Sequence, residues 1–176
     1  MILLVNNISS RLIIFHIFLS EETLDLSSNK LIGTLPSELN RMIHLNRLNL
    51  SFNHFSGTIS SKINLLKKLK TLYLQSNQIT GSIPSEIGQL QDLEMIALDR
   101  NALEGSIPSE IYECKPLSMI SLFANSLNGT ISSSIGQINN METRKFVSKL
   151  DFVHGCYFII VSKFIFSFQC SWEQIN

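Results

Sequence analysis

The side chains of this sequence that could act as nucleophiles, general bases or metal ligands are its cysteines and histidines. The histidines are scattered along the chain, and none stands at the spacing of a metal-binding pair: they are His16, His44, His54 and His154. No histidine is positioned to activate the thiol of Cys114. The sequence also has no glycine-rich phosphate loop and no protein-kinase catalytic loop. We therefore expect no enzyme activity, no bound metal and no cofactor in this chain.

Another polar residue type is regularly spaced. Asparagine recurs every 24 residues, and a glycine follows each asparagine four residues later. The pairs are Asn29 with Gly33, Asn53 with Gly57, Asn77 with Gly81, Asn101 with Gly105, and Asn125 with Gly129. Leucine, isoleucine and phenylalanine fill the same frame in every unit. A fixed period of this length predicts a repeat solenoid of five coils.

Each part of the repeat has a physical interpretation. The alternation in Leu24-Asp25-Leu26 predicts a short strand with one buried face, and stacked coils would place such strands about 4.8 Å apart in a parallel concave sheet. The asparagine amide can bond backbone groups that would otherwise be buried without partners, so we expect a structural ladder of the five asparagines. The glycine permits a tight bend. The segment from Ser37 to Met42, like its copies, has helix-like spacing and should form the outer wall.

The repeat resembles the plant-type extracellular leucine-rich repeat, LxxLxLxxNxLxGxIPxxLGxL, over residues 21 to 141. The segment Ile79-Thr80-Gly81-Ser82-Ile83-Pro84-Ser85-Glu86-Ile87-Gly88 fits that pattern closely. The resemblance implies an α/β repeat solenoid, a right-handed superhelix of about five coils. It also implies part of the ectodomain of a plant receptor-like kinase or receptor-like protein, at the outer face of the plasma membrane or in the cell wall. The partner would be a peptide or protein ligand, or a co-receptor ectodomain, and any kinase domain of the parent would lie outside this chain.

Exposed positions of the concave strands are where such a partner would bind. Aromatic and arginine side chains contribute most of the energy at interfaces, which favours the exposed residues of these types. We expect an extended, shallow surface rather than a pocket. The predicted ligand contacts are Phe52, Tyr73, Gln75, Asp99, Arg100 and Phe123.

The charge, the sequons and the cysteines of the sequence limit the partners and modifications that we expect. The formal net charge is zero and 16% of residues are charged, so nucleic acid is not an expected partner. Three sequons could accept N-linked glycans if the chain is secreted; their asparagines are Asn7, Asn49 and Asn128. Cys114 lies in an apolar column and is expected to be a buried thiol. Cys156 and Cys170 could pair, but nothing in the sequence requires it.

The two ends depart from the repeat. Residues 1 to 20 are either a poor signal peptide or a degenerate half-coil that caps the stack. Residues 142 to 176 contain a Phe/Ile-rich run that is a hydrophobic cap, a weak membrane segment or read-through sequence. Two other functions stay open: a secreted inhibitor of a cell-wall-degrading enzyme, and a truncated product without independent activity.

Overall fold

Five parallel strands, one from each coil, form the concave sheet. The computed structural model describes residues 21–128 and 159–160. The strands are Thr23–Asp25 (β1), Arg47–Asn49 (β3), Thr71–Tyr73 (β5), Met95–Ala97 (β7) and Met119–Ser121 (β9). Each pairs with the next in sequence order, with partners 24 residues apart, as in Leu48 with Leu72. A further strand, Ile159–Ile160 (β11), pairs antiparallel with β9.

A second set of parallel strands follows the first, which the sequence analysis did not anticipate. It comprises Ile32–Thr34 (β2), His54–Ser56 (β4), Thr80–Gly81 (β6), Ala102–Ser106 (β8) and Ser126–Asn128 (β10). β2 pairs with β4, and β6, β8 and β10 pair in succession. The repeat glycine is required here for two reasons. Gly57 has φ +75°, and a Cβ at that position would lie 2.8 Å from Cγ2 of Thr34 in the preceding coil.

The outer wall of coils 1 to 4 consists of one short 3₁₀ helix per coil. These helices span Ser37–Arg41, Ser61–Leu65, Ser85–Gln89 and Ser109–Glu113. Proline precedes three of these helices. Ser60 precedes the helix Ser61–Leu65, and its Oγ accepts a hydrogen bond from the Lys62 amide at 3.2 Å. The predicted outer-wall segments are therefore helical, and at five residues each they form the 3₁₀ type that is common in short pieces.

The core is a continuous column of aliphatic side chains between sheet and outer wall. Met42, Leu45, Leu66 and Leu90 are 0% exposed. Cys114 lies in the same column at 0% exposure, and its thiol donates to the carbonyl of Ile87 at 3.4 Å. Burial, with a smaller effect from the Glu113 charge, raises the pKa of this thiol to about 11. The predicted buried thiol is confirmed, and at neutral pH it is protonated and unreactive. Cys156 and Cys170 lie outside the described residues.

The repeat asparagines lie at the corner where each coil leaves the concave sheet. Asn77 donates through Nδ2 to the carbonyls of Leu50 and Leu74, both at 3.0 Å, and its Oδ1 accepts the Phe55 amide at 2.9 Å. Because Leu50 and Phe55 belong to the preceding coil, one amide links two coils through two bonds. Asn53, Asn101 and Asn125 repeat the pattern. Asn29 bonds the carbonyls of Leu26 and Ser27 in its own coil.

Replacing Asn77 with alanine should destabilise the fold by more than about 2 kcal/mol, because a buried donor or acceptor without a partner costs about 1–3 kcal/mol. The variant leaves the Phe55 amide and the Leu50 and Leu74 carbonyls without the side chain that bonds them. Urea unfolding of the full chain measures the loss. Asn64→Ala is the matched control, since the Asn64 amide makes an exposed bond to Gln89 at 3.0 Å; it should change stability by less than about 0.5 kcal/mol. Equal effects of the two variants would contradict a structural role for the ladder.

Candidate binding face on the concave sheet

The residue before each ladder asparagine adopts a left-handed backbone conformation. These residues are Ser28, Phe52, Ser76, Arg100 and Ala124, with φ between +52° and +57°. For a residue with a Cβ this conformation costs roughly 1–2 kcal/mol. Hydrogen bonds to the next coil hold it, as in Phe52, whose amide donates to the Gln75 carbonyl at 2.9 Å. The backbone thereby places two of the predicted contacts in solvent: Phe52 is 53% exposed and Arg100 is also exposed.

Polar groups on the concave face of coils 1 and 2 bond one another. Asp25 Oδ1 accepts from the Ser27 hydroxyl at 2.6 Å, and its Oδ2 accepts from Nδ2 of Asn49 at 3.0 Å. Asn49 Oδ1 in turn accepts from the Ser51 hydroxyl at 2.7 Å. Burial acts to raise the pKa of Asp25, but the Ser27 and Asn49 hydrogen bonds and the Arg47 charge outweigh it, so the pKa is lowered. The polar side chains on this part of the face therefore hydrogen-bond one another.

Coil 3 presents an aromatic side chain and an amide oxygen without a partner. The Arg47 guanidinium carbon lies 5.2 Å from the centroid of the Tyr73 ring, within cation–π range. The Tyr73 hydroxyl donates to the sulfur of Met95 at 3.5 Å. Gln75 Oε1 is buried and accepts no hydrogen bond. Buried polar groups without partners are uncommon, so Gln75 is an unusual position on this face.

Coils 4 and 5 bring the remaining predicted contacts together. The Arg100 guanidinium carbon lies 5.6 Å from the centroid of the Phe123 ring. Asp99 accepts from the Ser121 hydroxyl at 2.8 Å. Burial raises the pKa of Asp99 above its ordinary value, and the Ser121 hydrogen bond and the Arg100 charge offset this only in part.

Asp99 is less accessible than the sequence predicted. It was expected at an exposed strand position, but it is 7% exposed. The expected exposure was wrong because the strand pattern gives a direction for the side chain and says nothing of its neighbours on the next coil. Arg100 and Phe123 therefore present more surface here than Asp99 does, and all six predicted contacts remain predictions.

Two neighbours of the predicted contacts were missed by the sequence analysis. Arg47 stacks on Tyr73, and Met95 accepts its hydroxyl. The 24-residue register of the concave strands could have identified Arg47 and Met95. Asn49 and Ala97 lie opposite Tyr73 on the flanking strands, and Arg47 and Met95 are two residues away from them. Diagonal neighbours in a sheet are within reach of long side chains.

The three predicted glycan acceptors differ in accessibility. Asn128 is exposed. Asn49 is 8% exposed and its amide nitrogen donates to Asp25, so a glycan there would have to break a hydrogen bond inside the sheet face. The geometry argues against Asn49 as an acceptor. Asn7 lies outside the described residues.

Two absences concern the described residues, 21–128 and 159–160. No group of three or more His, Cys, Asp or Glu side chains in these residues could hold a metal ion. No helix of this part of the chain is long and apolar enough to cross a bilayer.

Comparison with known proteins places these coils in a family. A family model of the leucine-rich repeat matches residues 22–42, 44–66 and 68–90. A search of curated proteins finds no match. Among solved structures, the plant peptide hormone receptor RGFR1 in complex with RGF2 is 36% identical with a TM-score of 0.67, and the match covers 68% of this chain and 19% of that one.

Two further solved structures extend the comparison. The ectodomain of the Arabidopsis thaliana receptor kinase GASSHO1/SCHENGEN3, in complex with CASPARIAN STRIP INTEGRITY FACTOR 2, is 34% identical with a TM-score of 0.66, over 68% of this chain and 14% of that one. The BIR3–SERK2 complex from Arabidopsis thaliana gives 40% identity and a TM-score of 0.62, over 65% of this chain and 61% of that one.

The stacked 24-residue coils and their parallel concave sheet define a leucine-rich-repeat solenoid, and the predicted fold class is confirmed. The chain is a leucine-rich-repeat protein, and its repeats are similar to those of the plant receptor-kinase ectodomains compared above. It spans about a fifth or less of the two receptor ectodomains compared above.

Asp99→Asn should stabilise the chain more at pH 7 than at pH 3. The pKa of Asp99 is higher in the folded than in the unfolded chain. Its contribution to the free energy of unfolding is therefore fully present below the unfolded pKa and is lost as pH rises through the folded pKa. Asparagine removes the buried charge and keeps an oxygen that can accept from Ser121. Urea unfolding of wild type and variant at the two pH values measures the difference.

Asp25→Asn is the control of opposite sign. The pKa of Asp25 is lowered in the fold, so its contribution is present above the unfolded pKa and is lost as pH falls through the folded pKa. This variant should be less stable than wild type at pH 7, with a smaller difference at pH 3. An Asp99→Asn effect that does not change with pH would show that the buried charge has no influence on stability.

Proposed function

We propose that this chain is a non-catalytic binding module from the ectodomain of a plant receptor-like kinase or receptor-like protein, and that it recognises a peptide or protein partner on the concave face of coils 3 to 5. The observation that carries the proposal is the difference between the two halves of this face. The carboxylate, amide and hydroxyl groups of Asp25, Asn49 and Ser51 bond one another. On coils 3 to 5 Arg100 is exposed and Tyr73 and Phe123 are half-buried, so aromatic and cationic surface remains beside the Asp99–Ser121 hydrogen bond, and Gln75 Oε1 is buried without a partner.

The chemistry of coils 3 to 5 suits an extended peptide. Two coils separate Tyr73 from Phe123, a distance of about 10 Å, which about three residues of an extended strand would span. Aromatic and arginine side chains are the usual energetic centres of protein interfaces. Stacking of Arg47 on Tyr73 and of Arg100 on Phe123 restricts these side chains before binding, which lowers the entropy lost on association.

Related solved structures support the choice of partner class. RGFR1 was solved with RGF2, and HAESA was solved with the peptide hormone IDA and the co-receptor SERK1. BIR3 was solved with SERK2. The proposed partner of this chain is accordingly a peptide hormone or a co-receptor ectodomain, met outside the cell at the plasma membrane or in the cell wall. N-glycosylation at Asn128 is part of this proposal, because that side chain is exposed.

The antiparallel strand β11 lies within the C-terminal segment of residues 142 to 176. Within residues 142 to 176 the structure describes Ile159–Ile160, which extends the concave sheet past β9 and supports the cap interpretation for that strand. Solenoids need such covering of their end coils.

Binding measurements on the full chain test the proposal. Immobilised chain would be titrated with synthetic RGF2, CASPARIAN STRIP INTEGRITY FACTOR 2 and IDA peptides, and with the SERK2 ectodomain. We expect at least one of these probes to bind. Tyr73→Ala and Arg100→Ala should each weaken that binding about tenfold or more, as loss of an interface hot spot does.

Ser28→Ala is the matched control, because Ser28 occupies on coil 1 the position that Arg100 occupies on coil 4, with the same left-handed backbone. It should leave affinity unchanged. Circular dichroism confirms that each variant is folded. A bound probe whose affinity is unaffected by Tyr73→Ala and Arg100→Ala would overturn the assignment of the face, and failure of every probe to bind at millimolar concentration would overturn the partner class.

A further inference from the structure

Charge is strongly segregated along this chain although the total is zero. Between Glu38 and Glu86 the sequence contains no acidic residue, and the basic residues in that interval are Arg41, Arg47, Lys62, Lys67, Lys68 and Lys70. From Glu86 to Asn128 the balance reverses. The acidic residues there are Glu86, Asp92, Glu94, Asp99, Glu104, Glu110 and Glu113, against Arg100 and Lys115.

The fold places most of these charges on one surface, formed by each 3₁₀ helix and the turn after it: residues 37–46, 61–70, 85–94 and 109–118. We call it the helix-and-turn surface. On coil 2 it carries Lys62, Lys67, Lys68 and Lys70 and no acid, and on coil 3 it carries Glu86, Asp92 and Glu94 and no base. The helices of the two coils pack on each other, so a basic and an acidic patch lie side by side, about 5 Å from coil to coil.

Most of this charge is left without a partner of opposite sign. Lys70 and Glu94 meet across the boundary at 3.3 Å, and theirs is the one ion pair found in residues 21–128 and 159–160. Lys62, Lys67, Lys68 and Asp92 are exposed. Ile43 and Leu65 are also on this surface, on coils 1 and 2, and are 53% and 47% exposed. The basic half therefore includes apolar surface that a partner could cover.

We propose that the helix-and-turn surface pairs with the same surface of a second copy of this chain, in antiparallel orientation. A two-fold axis that lies in the plane of the interface, at right angles to the stacking direction and between coils 2 and 3, places coil 2 of each copy against coil 3 of the other. The basic patch of each then faces the acidic patch of its partner, and this contact forms twice, as in any isologous interface. The same axis places coil 1 against coil 4, which brings the row of Arg41 to the row of Glu113 and the row of Glu38 to the row of Glu110, so the favourable charge pairing of the dimer lies between coils 2 and 3.

The arrangement of charge favours a second copy over other occupants. An acidic protein or an anionic bilayer would be attracted by coil 2 but repelled by coil 3, and a basic partner would meet the reverse. A copy of this surface satisfies both patches at once. The zero net charge also removes the long-range repulsion that keeps charged proteins apart. This pairing uses a surface different from the concave face and is independent of the proposed ligand.

Sedimentation velocity of the full chain tests the pairing. At about 20 mM salt we expect a monomer–dimer equilibrium, and at about 500 mM salt we expect monomer, because screening at that ionic strength acts within a few ångströms. Lys62→Glu/Lys68→Glu alone and Glu86→Lys/Asp92→Lys alone should each weaken dimerisation about tenfold or more, since like charges then face each other between coils 2 and 3.

Mixing the two double variants provides the decisive control. In the mixed dimer one contact has both charges reversed and the other has the original charges, so an equimolar mixture should regain the wild-type dimer. Monomer at every concentration and salt would overturn the proposal. Association that persists in high salt and in both double variants would also overturn it, because the alternation of basic and acidic patches would then not determine the pairing. Folding of the variants is checked by circular dichroism.

Discussion

The structure depends on satisfying the backbone groups at the corner where each coil leaves the concave sheet. The strand ladder ends there, and N–H and C=O groups next to a leucine core would otherwise be buried without partners. On coils 2 to 5, one asparagine amide per coil bonds carbonyls on its own and the preceding coil and accepts an amide from the preceding coil, as Asn101 does with Leu98, Leu74 and Ile79. The corner held in this way fixes the left-handed residue before it, and so fixes where Phe52 and Arg100 present their side chains.

Much of this could be predicted from residue type and period. Leucine columns define the core, and the asparagine corner follows from the need to bond buried backbone. Features that depend on contacts between neighbouring coils could not be predicted in the same way. The second set of strands arises because residues 22 apart, such as Ile32 and His54, meet in register after the glycine bend. Burial of Asp99 and bonding of the Asn49 amide to Asp25 likewise depend on the adjacent coil.

A repeat frame also leaves its exposed positions free to differ from coil to coil, and the functional differences of this chain are found there. On coils 1 and 2 the polar side chains of the concave face hydrogen-bond one another. On coils 2 to 5 the face carries stacked arginine–aromatic pairs. The helix-and-turn surface changes sign between coils 2 and 3. Both surfaces have the same scaffold beneath them, so the face proposed for a ligand and the surface proposed for a second copy lie on different sides of one solenoid.

Hydrogen exchange of the backbone amides that donate to the asparagine ladder would test the central claim most directly. The amides of Phe55, Ile79 and Leu103 donate to Oδ1 of the next asparagine at 2.9–3.0 Å. The account predicts that they exchange as slowly as the concave-sheet amides of Leu50 and Leu74, which bond between coils at 2.8 and 2.9 Å. Exchange as fast as that of the exposed turn at Lys67 and Lys68 would show that the ladder does not hold the coils together.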